Sequence, residues 1–302
     1  MPLQDEKLIK ERSYYIVKAN NLITKSRYSL TLQQQKILLY FIAQIKPEDD
    51  SNTVYELSIN EFGNVCGYVE DSGYYYQSIK SDIKKLSDTS SWIEIEKGKE
   101  VLFRWINTAE INQNDGTIRI SFHSTVKPYL FALREQYTQY SLYNILGLSH
   151  KYAIRLYEFL SVMRYKGIFE ISIDELKKHI DAESYKTFSN FNMRVLKPSI
   201  DDINDYTNLN IEYQLKKTGK AITHIIFKYI EETSASSAIT KILRDGKINP
   251  EKRKERKERI KELEKRREKI REEKEVIETT GTITAQMTMD EFIQTLESQK
   301  EK

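Results

Sequence analysis

The sequence predicts an α+β protein with two tandem copies of one small module, followed by a charged helical C-terminal tail. Three observations predict this fold class: an internal repeat, the same order of helices and strands around each repeat unit, and a change of composition after Glu231. The repeat is considered first because overlooking one leads to the wrong fold.

The repeat is clearest over eight residues. Residues 55–62 read YELSINEF and residues 169–176 read FEISIDEL, so every position is identical or physically similar. A second match lies further along both copies, where IKSDIKKLSD at 79–88 aligns with LKPSIDDIND at 196–205. Two collinear matches favour duplication over chance similarity.

In the first copy, apolar side chains at i, i+3, i+4 and i+7 predict a helix over 30–45, and residues 54–57 alternate as a strand does. Ser58 with Glu61 forms a capping-box pattern that begins a helix, which Gly67 should end. The remaining elements are a helix over 72–88, a hairpin of 92–95 and 101–103 around a Lys-Gly-Lys turn, and a strand over 117–122.

The second copy repeats this plan. A helix is predicted over 152–163, a strand over 169–171, and a helix that begins at the capping pair Ser172 and Glu175. The other elements are a helix from about Ser184 and strands at 209–215 and 222–230.

Helix, strand, helix, turn, helix and hairpin is the order of a winged-helix module, a helix-turn-helix with a β-hairpin wing. We therefore expect two tandem winged-helix domains, at residues 1–125 and 126–230, with a tail at 231–302. Between Glu251 and Glu275 every tail residue is charged except three, and opposite charges lie three apart, as in a solvated helix. The tail is either a helical spacer carrying a partner-binding helix at 289–296, or disordered.

Composition limits the function classes. The net charge of +3 carries little information, but residues 12–46 contain six Lys or Arg and no acid, a stretch suited to phosphates. Cys66 is the only cysteine, which excludes a disulfide within the chain and a thiolate-rich metal site. Because no signal peptide or membrane-length apolar run is present, we expect a soluble cytoplasmic protein without membrane contact.

The search for catalytic residues finds none. The four histidines form no closely spaced pair, which argues against a zinc hydrolase and a metal-dependent nicking enzyme. No Gly-Lys pair has the spacing of a phosphate-binding loop. Asp201 and Asp202 are interpreted as solvated carboxylates. We therefore predict a protein that is not an enzyme and has no catalytic residue, metal or cofactor.

The third helix of the second copy carries the strongest functional signal. In a winged helix this element enters the major groove of DNA. Four residues advance along its outer face, and Thr187 stands at its N-terminal end, where backbone N–H groups favour a phosphate. The four are Lys186, Asn190, Arg194 and Lys197. Residues 184–197 contain no acid, but a basic solvated helix without a ligand is the alternative.

Two further features concern this helix. Phe188, Phe191, Val195 and Leu196 should face the core. Pro198 is disfavoured inside a regular helix, so it should kink the helix after its groove-reading half.

The corresponding helix of the first copy offers Tyr75, Lys80 and Lys84 as DNA contacts, with Asp82 interrupting the positive face. Tyrosine packing or subunit contacts are the alternative. The wings add phosphate candidates, because a wing along the DNA backbone needs cations without fixed spacing. They are Lys97, Lys99, Lys216, Lys217 and Lys220. Solvated turn lysines explain them equally well.

Two segments carry a family resemblance. They are VKANNLI at 17–23, leading into LTLQQQKILLY at 30–40, and FNMRVLKPSIDDIN at 191–204. With these residues the chain resembles the replication initiators of iteron-containing, theta-replicating plasmids, over roughly 14–230. Members often have more arginine where this chain has Asn192 and Met193.

The resemblance implies two winged-helix domains and a specific role. Such proteins bind direct repeats (iterons) in the double-stranded plasmid origin as monomers, with the second domain making the main sequence-specific contacts. The first domain contacts DNA and mediates a homodimer that autorepresses and serves copy control. They help to open the origin and recruit the host initiator, helicase or primase. A tandem winged-helix transcriptional repressor is the alternative, and a metal-dependent nickase is a third hypothesis.

Overall fold

The computed structural model describes residues 15–46, 48–50, 52–66 and 72–230. The predicted tail, with its helix at 289–296, lies outside these residues, and so does Gly67. None of the described helices combines the length and the apolar character that crossing a membrane requires.

The first copy contains four helices and seven strands among the described residues. Their bounds are β1 Tyr15–Ala19, α1 Asn20–Lys25, β2 Ser26–Arg27, α2 Leu32–Ile42, β3 Tyr55–Ser58, α3 Ile59–Cys66, α4 Ser72–Asp88, β4 Ser90–Glu96, β5 Lys99–Arg104, β6 Ile106–Asn112 and β7 Thr117–Phe122. Helix α4 has the predicted bounds, whereas α2 is shorter than its prediction. The sequence patterns did not predict β1, α1, β2 or β6.

The second copy has a similar order of helices and strands, but it has no counterpart of β2 and only two strands after its last helix, where the first copy has four. Its elements are β8 Tyr137–Ser141, α5 Leu142–Leu146, α6 Lys151–Met163, β9 Ile168–Ser172, α7 Ile173–His179, α8 Phe188–Phe191, α9 Lys197–Tyr206, β10 Ile211–Thr218 and β11 Ala221–Tyr229. A π-helical turn, Asn192–Leu196, connects α8 to α9. The prediction of a winged-helix order in both copies is confirmed.

Side-chain caps explain where the helices begin. Ser58 accepts a hydrogen bond from the Glu61 backbone N–H at 3.3 Å, and Ser172 accepts one from Glu175 at 3.2 Å. Each cap satisfies an N–H group that has no partner within the helix. These matched caps place α3 and α7 directly after strands β3 and β9, as the repeat predicted.

Both wings are antiparallel hairpins with glycine at the turn. Strands β4 and β5 turn at Gly98, whose φ is 77°, and β10 and β11 turn at Gly219, whose φ is 62°. A positive φ favours glycine, which has no Cβ. Strand β11 also pairs with β9, whereas in the first copy β3 pairs with β7 in a separate sheet.

One small sheet joins the two copies. Strand β1 of the first copy pairs antiparallel with β8 of the second, with Val17 opposite Gln139 at its centre. Each strand is followed by a short helix and then a longer one, α1 and α2 in one copy and α5 and α6 in the other. The duplicated arrangement therefore begins upstream of the segments that revealed it in the sequence.

A buried ionic cluster lies where the two copies meet. Lys18 Nζ on β1 is 2.7 Å from Glu158 Oε1 on α6, and both side chains are 1% exposed. Arg155 Nη1 lies 3.3 Å from the other oxygen of Glu158 and donates to the Tyr28 hydroxyl at 2.6 Å. Tyr140 on β8 also donates to Glu158. We call Lys18, Tyr28, Tyr140, Arg155 and Glu158 the joint cluster.

Hydrogen bonds compensate for the burial of these charges. Arg155 Nη2 donates to the carbonyl oxygens of Ile23 and Ser26 in the first copy and to that of His179 in the second, at 3.0–3.4 Å. Burial favours a higher pKa for Glu158, but the Lys18 and Arg155 cations hold that pKa below its ordinary value. The resulting stability is fully present above the ordinary carboxyl pKa, and it is lost as the pH falls through the folded-state value.

Two cations of the basic N-terminal stretch are unavailable to a ligand, so the prediction that residues 12–46 suit phosphates is wrong for them. Lys18 belongs to the joint cluster. Lys36 is 5% exposed and donates to the Leu146 carbonyl at 2.8 Å. Their partners lie more than a hundred residues away, so charge counting along the sequence could not detect them.

The joint cluster predicts an asymmetric response to substitution. Glu158→Gln leaves two buried cations without their anion and should cost about 3–5 kcal/mol of unfolding free energy. Lys18→Met leaves Arg155 paired with Glu158 and should cost less. Urea unfolding followed by circular dichroism measures both.

Glu56→Gln is the matched control, because Glu56 pairs with Arg119 at 2.6 Å on the surface. Water screens such an exposed pair, so stability should change little. Equal losses for Glu158→Gln and Glu56→Gln would contradict the stabilising role of the joint cluster.

Candidate nucleic-acid interface

The third helix of the second copy begins later than the sequence suggested. Thr187 accepts a hydrogen bond from the Asn190 backbone N–H at 3.4 Å, and α8 starts at Phe188. The predicted start near Ser184 is therefore wrong. Lys186 and Thr187 stand on the loop and cap that lead into the helix, where N–H groups without helical partners point outward.

Buried and exposed residues separate along this helix. Phe191, Val195 and Leu196 are fully buried, and Phe188 is half-buried, so the predicted core face is confirmed. The predicted site residues are all exposed: Lys186, Thr187, Asn190, Arg194 and Lys197. Helix and preceding loop thus offer hydroxyl, amide, guanidinium and ammonium groups, which are donors for base edges and phosphates.

The middle of the helix is a π turn. The Lys197 backbone N–H donates to the Asn192 carbonyl, five residues earlier, and Pro198 stands in the first turn of α9. A proline ring clashes with the carbonyl four residues before it, which here belongs to Arg194, and the wider turn is one way to relieve that clash. Tyr213 on β10 donates to Asn192 Oδ1 at 3.2 Å and tethers the turn to the wing.

Asp202 is a structural acceptor, and its interpretation as a solvated carboxylate is wrong. It is 7% exposed and accepts hydrogen bonds from the backbone N–H groups of Ser149 and His150 at 2.8 and 3.1 Å. Its carboxylate also contacts the Ser149 hydroxyl and His150 Nδ1 at 2.9 and 2.7 Å. Burial alone would raise its pKa, but these hydrogen bonds hold the pKa below its ordinary value.

These contacts join α9 to the start of α6. They do not form a hydrolase triad, because His150 Nδ1 is the nitrogen near both Asp202 and the Ser149 hydroxyl, at 2.7 and 3.2 Å. A triad needs the opposite ring nitrogens for the two partners. Asp202 therefore positions the recognition helix, the helical segment from Phe188 to Tyr206, on α6. No short-range sequence pattern indicated its partners.

The first copy presents a mixed surface on α4. Lys80 and Lys84 are exposed, whereas Tyr75 is half-buried and its ring packs at Gly63 of α3. Asp82 was expected to interrupt the positive face, but it is 8% exposed and accepts a hydrogen bond from Gln34 at 2.9 Å. That expectation is wrong, and the outer face of α4 is more uniformly basic than its sequence suggests.

The wings keep their lysines at the surface. Lys97, Lys99, Lys217 and Lys220 are exposed near the hairpin turns. Lys216 is bound to Glu170 of β9 at 2.9 Å, and this hydrogen bond lowers the pKa of Glu170 below its ordinary value. A phosphate at Lys216 would compete with that carboxylate. Lys217 and Lys220 have no such neighbour within 4.0 Å among the described residues.

Met193 is an exposed residue that the sequence prediction did not include in the site. It lies in the π turn between Asn190 and Arg194, and its side chain is 60% exposed. Its position between two predicted contact residues was the available signal.

Comparisons with known proteins agree with this architecture. A family model described as "Initiator Replication protein, WH1" matches residues 15–161, and one described as "Initiator Rep protein, WH2" matches residues 172–229. A "Replication initiation protein" of Escherichia coli is 29% identical over 227 residues, covering 70% of this chain and 68% of that protein. A "Probable replication protein rep" of Bifidobacterium longum (strain NCC 2705) is 26% identical over 140 residues, covering 46% of each chain.

Among solved structures, the Pi initiator protein in complex with iteron DNA superimposes with a TM-score of 0.62. It is 19% identical and covers 74% of this chain and 99% of its own. This likeness supports the fold, and the two family matches cover both copies of the module. The chain belongs to the family of initiator replication proteins with two winged-helix domains.

Proposed function

We propose that this chain is a plasmid replication initiator that binds direct repeats, or iterons, in double-stranded origin DNA in the cytoplasm. One observation carries the proposal: an acid-free segment from 184 to 197 exposes Asn190, Arg194 and Lys197 on the helix that a winged-helix domain inserts into the major groove. In such a site Asn190 suits adenine, Arg194 suits guanine, and Lys186 and Lys197 suit phosphates.

The two domains take different roles in this proposal. Residues 126–230 make the main sequence-specific contacts, with Thr187 at a phosphate and Lys216, Lys217 and Lys220 on the wing along the backbone. Residues 1–125 add contacts through Tyr75, Lys80, Lys84, Lys97 and Lys99 and mediate dimerisation. Because the two domains are linked, binding of one raises the effective concentration of the other at the site. Two domains of modest affinity can therefore bind tightly together.

Origin opening and recruitment follow from binding rather than from catalysis. With no nucleotide-binding motif in the sequence, strand opening would draw on binding energy and DNA deformation. We propose that the protein recruits the host initiator, helicase or primase, that residues 231–302 serve as a charged spacer, and that no covalent step occurs. A dimer would occupy its own promoter and autorepress.

An exposed apolar patch on the first copy suits the dimer. Trp92 on β4 and Leu102 on β5 are cross-strand neighbours that are 51% and 42% exposed. Glu100 and Arg104 flank Leu102 on the same exposed side of β5. A two-fold axis through Leu102 would bring Glu100 of one copy beside Arg104 of the other, so the patch is complementary to itself. We assign the dimer contact to Trp92, Leu102 and these two charges.

Leu102→Lys should weaken dimerisation about tenfold or more, because burial of one leucine side chain contributes about 1.5–3 kcal/mol. Sedimentation velocity over a concentration series measures the equilibrium. Val54→Lys is the matched control, since Val54 is a 57% exposed apolar residue outside the patch. Equal dimerisation of the wild type and Leu102→Lys would refute the assignment.

The DNA-binding proposal is tested with duplexes taken from repeats in or beside the gene. Arg194→Ala with Lys197→Ala should lower affinity about tenfold or more and abolish plasmid maintenance, because one base-reading arginine contributes about 1–3 kcal/mol. Arg134→Ala with Lys166→Ala removes the same charge from exposed positions outside the recognition helices, the wings and the basic stretch at 12–46, and should retain both activities. If the variant with Arg194→Ala and Lys197→Ala retains both DNA affinity and plasmid maintenance, the assignment of the DNA-binding site is wrong.

The same experiment separates the alternatives. A tandem winged-helix repressor would select palindromic rather than directly repeated sites, and its deletion would leave replication intact. A nickase would cut supercoiled origin DNA when Mg²⁺ or Mn²⁺ is added. Direct-repeat binding that plasmid maintenance requires, without cleavage, is the outcome expected of an initiator.

A further inference from the structure

Met193 stands out on the recognition helix of the second copy. Between Phe188 and Lys197, the other large apolar side chains face the core, whereas Met193 is 60% exposed on the turn that also carries Asn192 and Arg194. Isolated apolar residues are common on protein surfaces, so exposure alone assigns no role. Met193 differs from such isolated residues in its position on the recognition helix and in the contacts that hold its turn in place.

The turn beneath Met193 is held in place from two sides. Tyr213 on the wing binds Asn192 Oδ1 at 3.2 Å, and the π-type bond from the Lys197 N–H spans the residues between. Val195 and Leu196, next along the chain, are fully buried. Met193 is therefore presented outward by a turn that is anchored to both the core and the wing.

In the proposed function, Asn190 and Arg194, which lie on either side of Met193, read polar features of bases. Asparagine suits the N6 and N7 atoms of adenine, and arginine suits the O6 and N7 atoms of guanine. The one apolar feature in the major groove is the C5-methyl group of thymine, which an apolar side chain can contact. A thioether on a flexible unbranched chain adapts well to such a surface.

We propose that Met193 determines specificity by contacting the C5-methyl group of a thymine in the bound DNA, between the bases read by Asn190 and Arg194. This inference rests on the proposed function, because it needs a sequence-specific duplex complex. It adds recognition of one base to a site otherwise built from polar side chains.

The test removes the methyl group from the DNA and the side chain from the protein. Sequences bound by the full chain are first selected from random duplexes, and each thymine of the preferred site is then replaced by deoxyuridine. One thymine should matter for the wild type, with a loss of about fourfold, since one buried methyl-sized group contributes about 0.8 kcal/mol. Met193→Ala should bind the thymine duplex more weakly and be indifferent to deoxyuridine at that position.

Two further variants control the result. Met193→Leu keeps an apolar side chain and should retain part of the thymine preference, whereas Lys166→Ala should show the full wild-type sensitivity. If Met193→Ala keeps the wild-type response at every thymine, or if the wild type is indifferent to every methyl group, the inference fails and the proposed function stands. If no sequence is selected at all, both fail.

Discussion

The pairing of Lys18 and Arg155 with Glu158 is the constraint on which the described structure depends. It places three charges in a closed interior, and Lys18 comes from the first copy while the other two come from the second. Charges buried in this way are tolerated only when every partner is in place. Separating the two copies would leave at least one of them unpaired, so the joint cluster favours a single arrangement of the copies.

A continuous set of contacts leads from the joint cluster to the recognition helix. Glu158 and Arg155 lie on α6, and the N-terminal end of α6 holds Asp202 through Ser149 and His150. Asp202 belongs to α9, which continues the turn that carries Arg194. The position of the proposed DNA-reading surface is therefore set relative to the first copy by side chains outside that surface, which supports the proposal that both modules bind DNA as a unit.

Much of the secondary structure was predictable from local patterns. Helix α4 followed from apolar spacing, the wings followed from Gly98 and Gly219, and two helix starts followed from serine caps. The repeat and the family resemblance then predicted the fold. The predicted contact residues on the recognition helix of the second copy, and on the loop before it, are all exposed. These features depend on neighbours a few residues away.

The missed features depend on distant partners. Strand β1 was not predicted, because its pairing partner β8 lies more than a hundred residues away. Asp82 and Asp202 were interpreted as solvent-facing, because nothing nearby in sequence reveals their hydrogen bonds to Gln34 and to Ser149. Sequence spacing indicates which face of a helix a residue occupies, but it does not indicate what that face contacts.

Thermal unfolding of the full chain tests most directly whether the joint cluster makes the two copies unfold together. Both tryptophans, Trp92 and Trp105, lie in the first copy, so their fluorescence reports on that copy alone, whereas calorimetry reports on both. A shared buried cluster predicts coincident transitions, with a calorimetric enthalpy equal to the van't Hoff enthalpy. Two resolved transitions, with the fluorescence change confined to one, would contradict it.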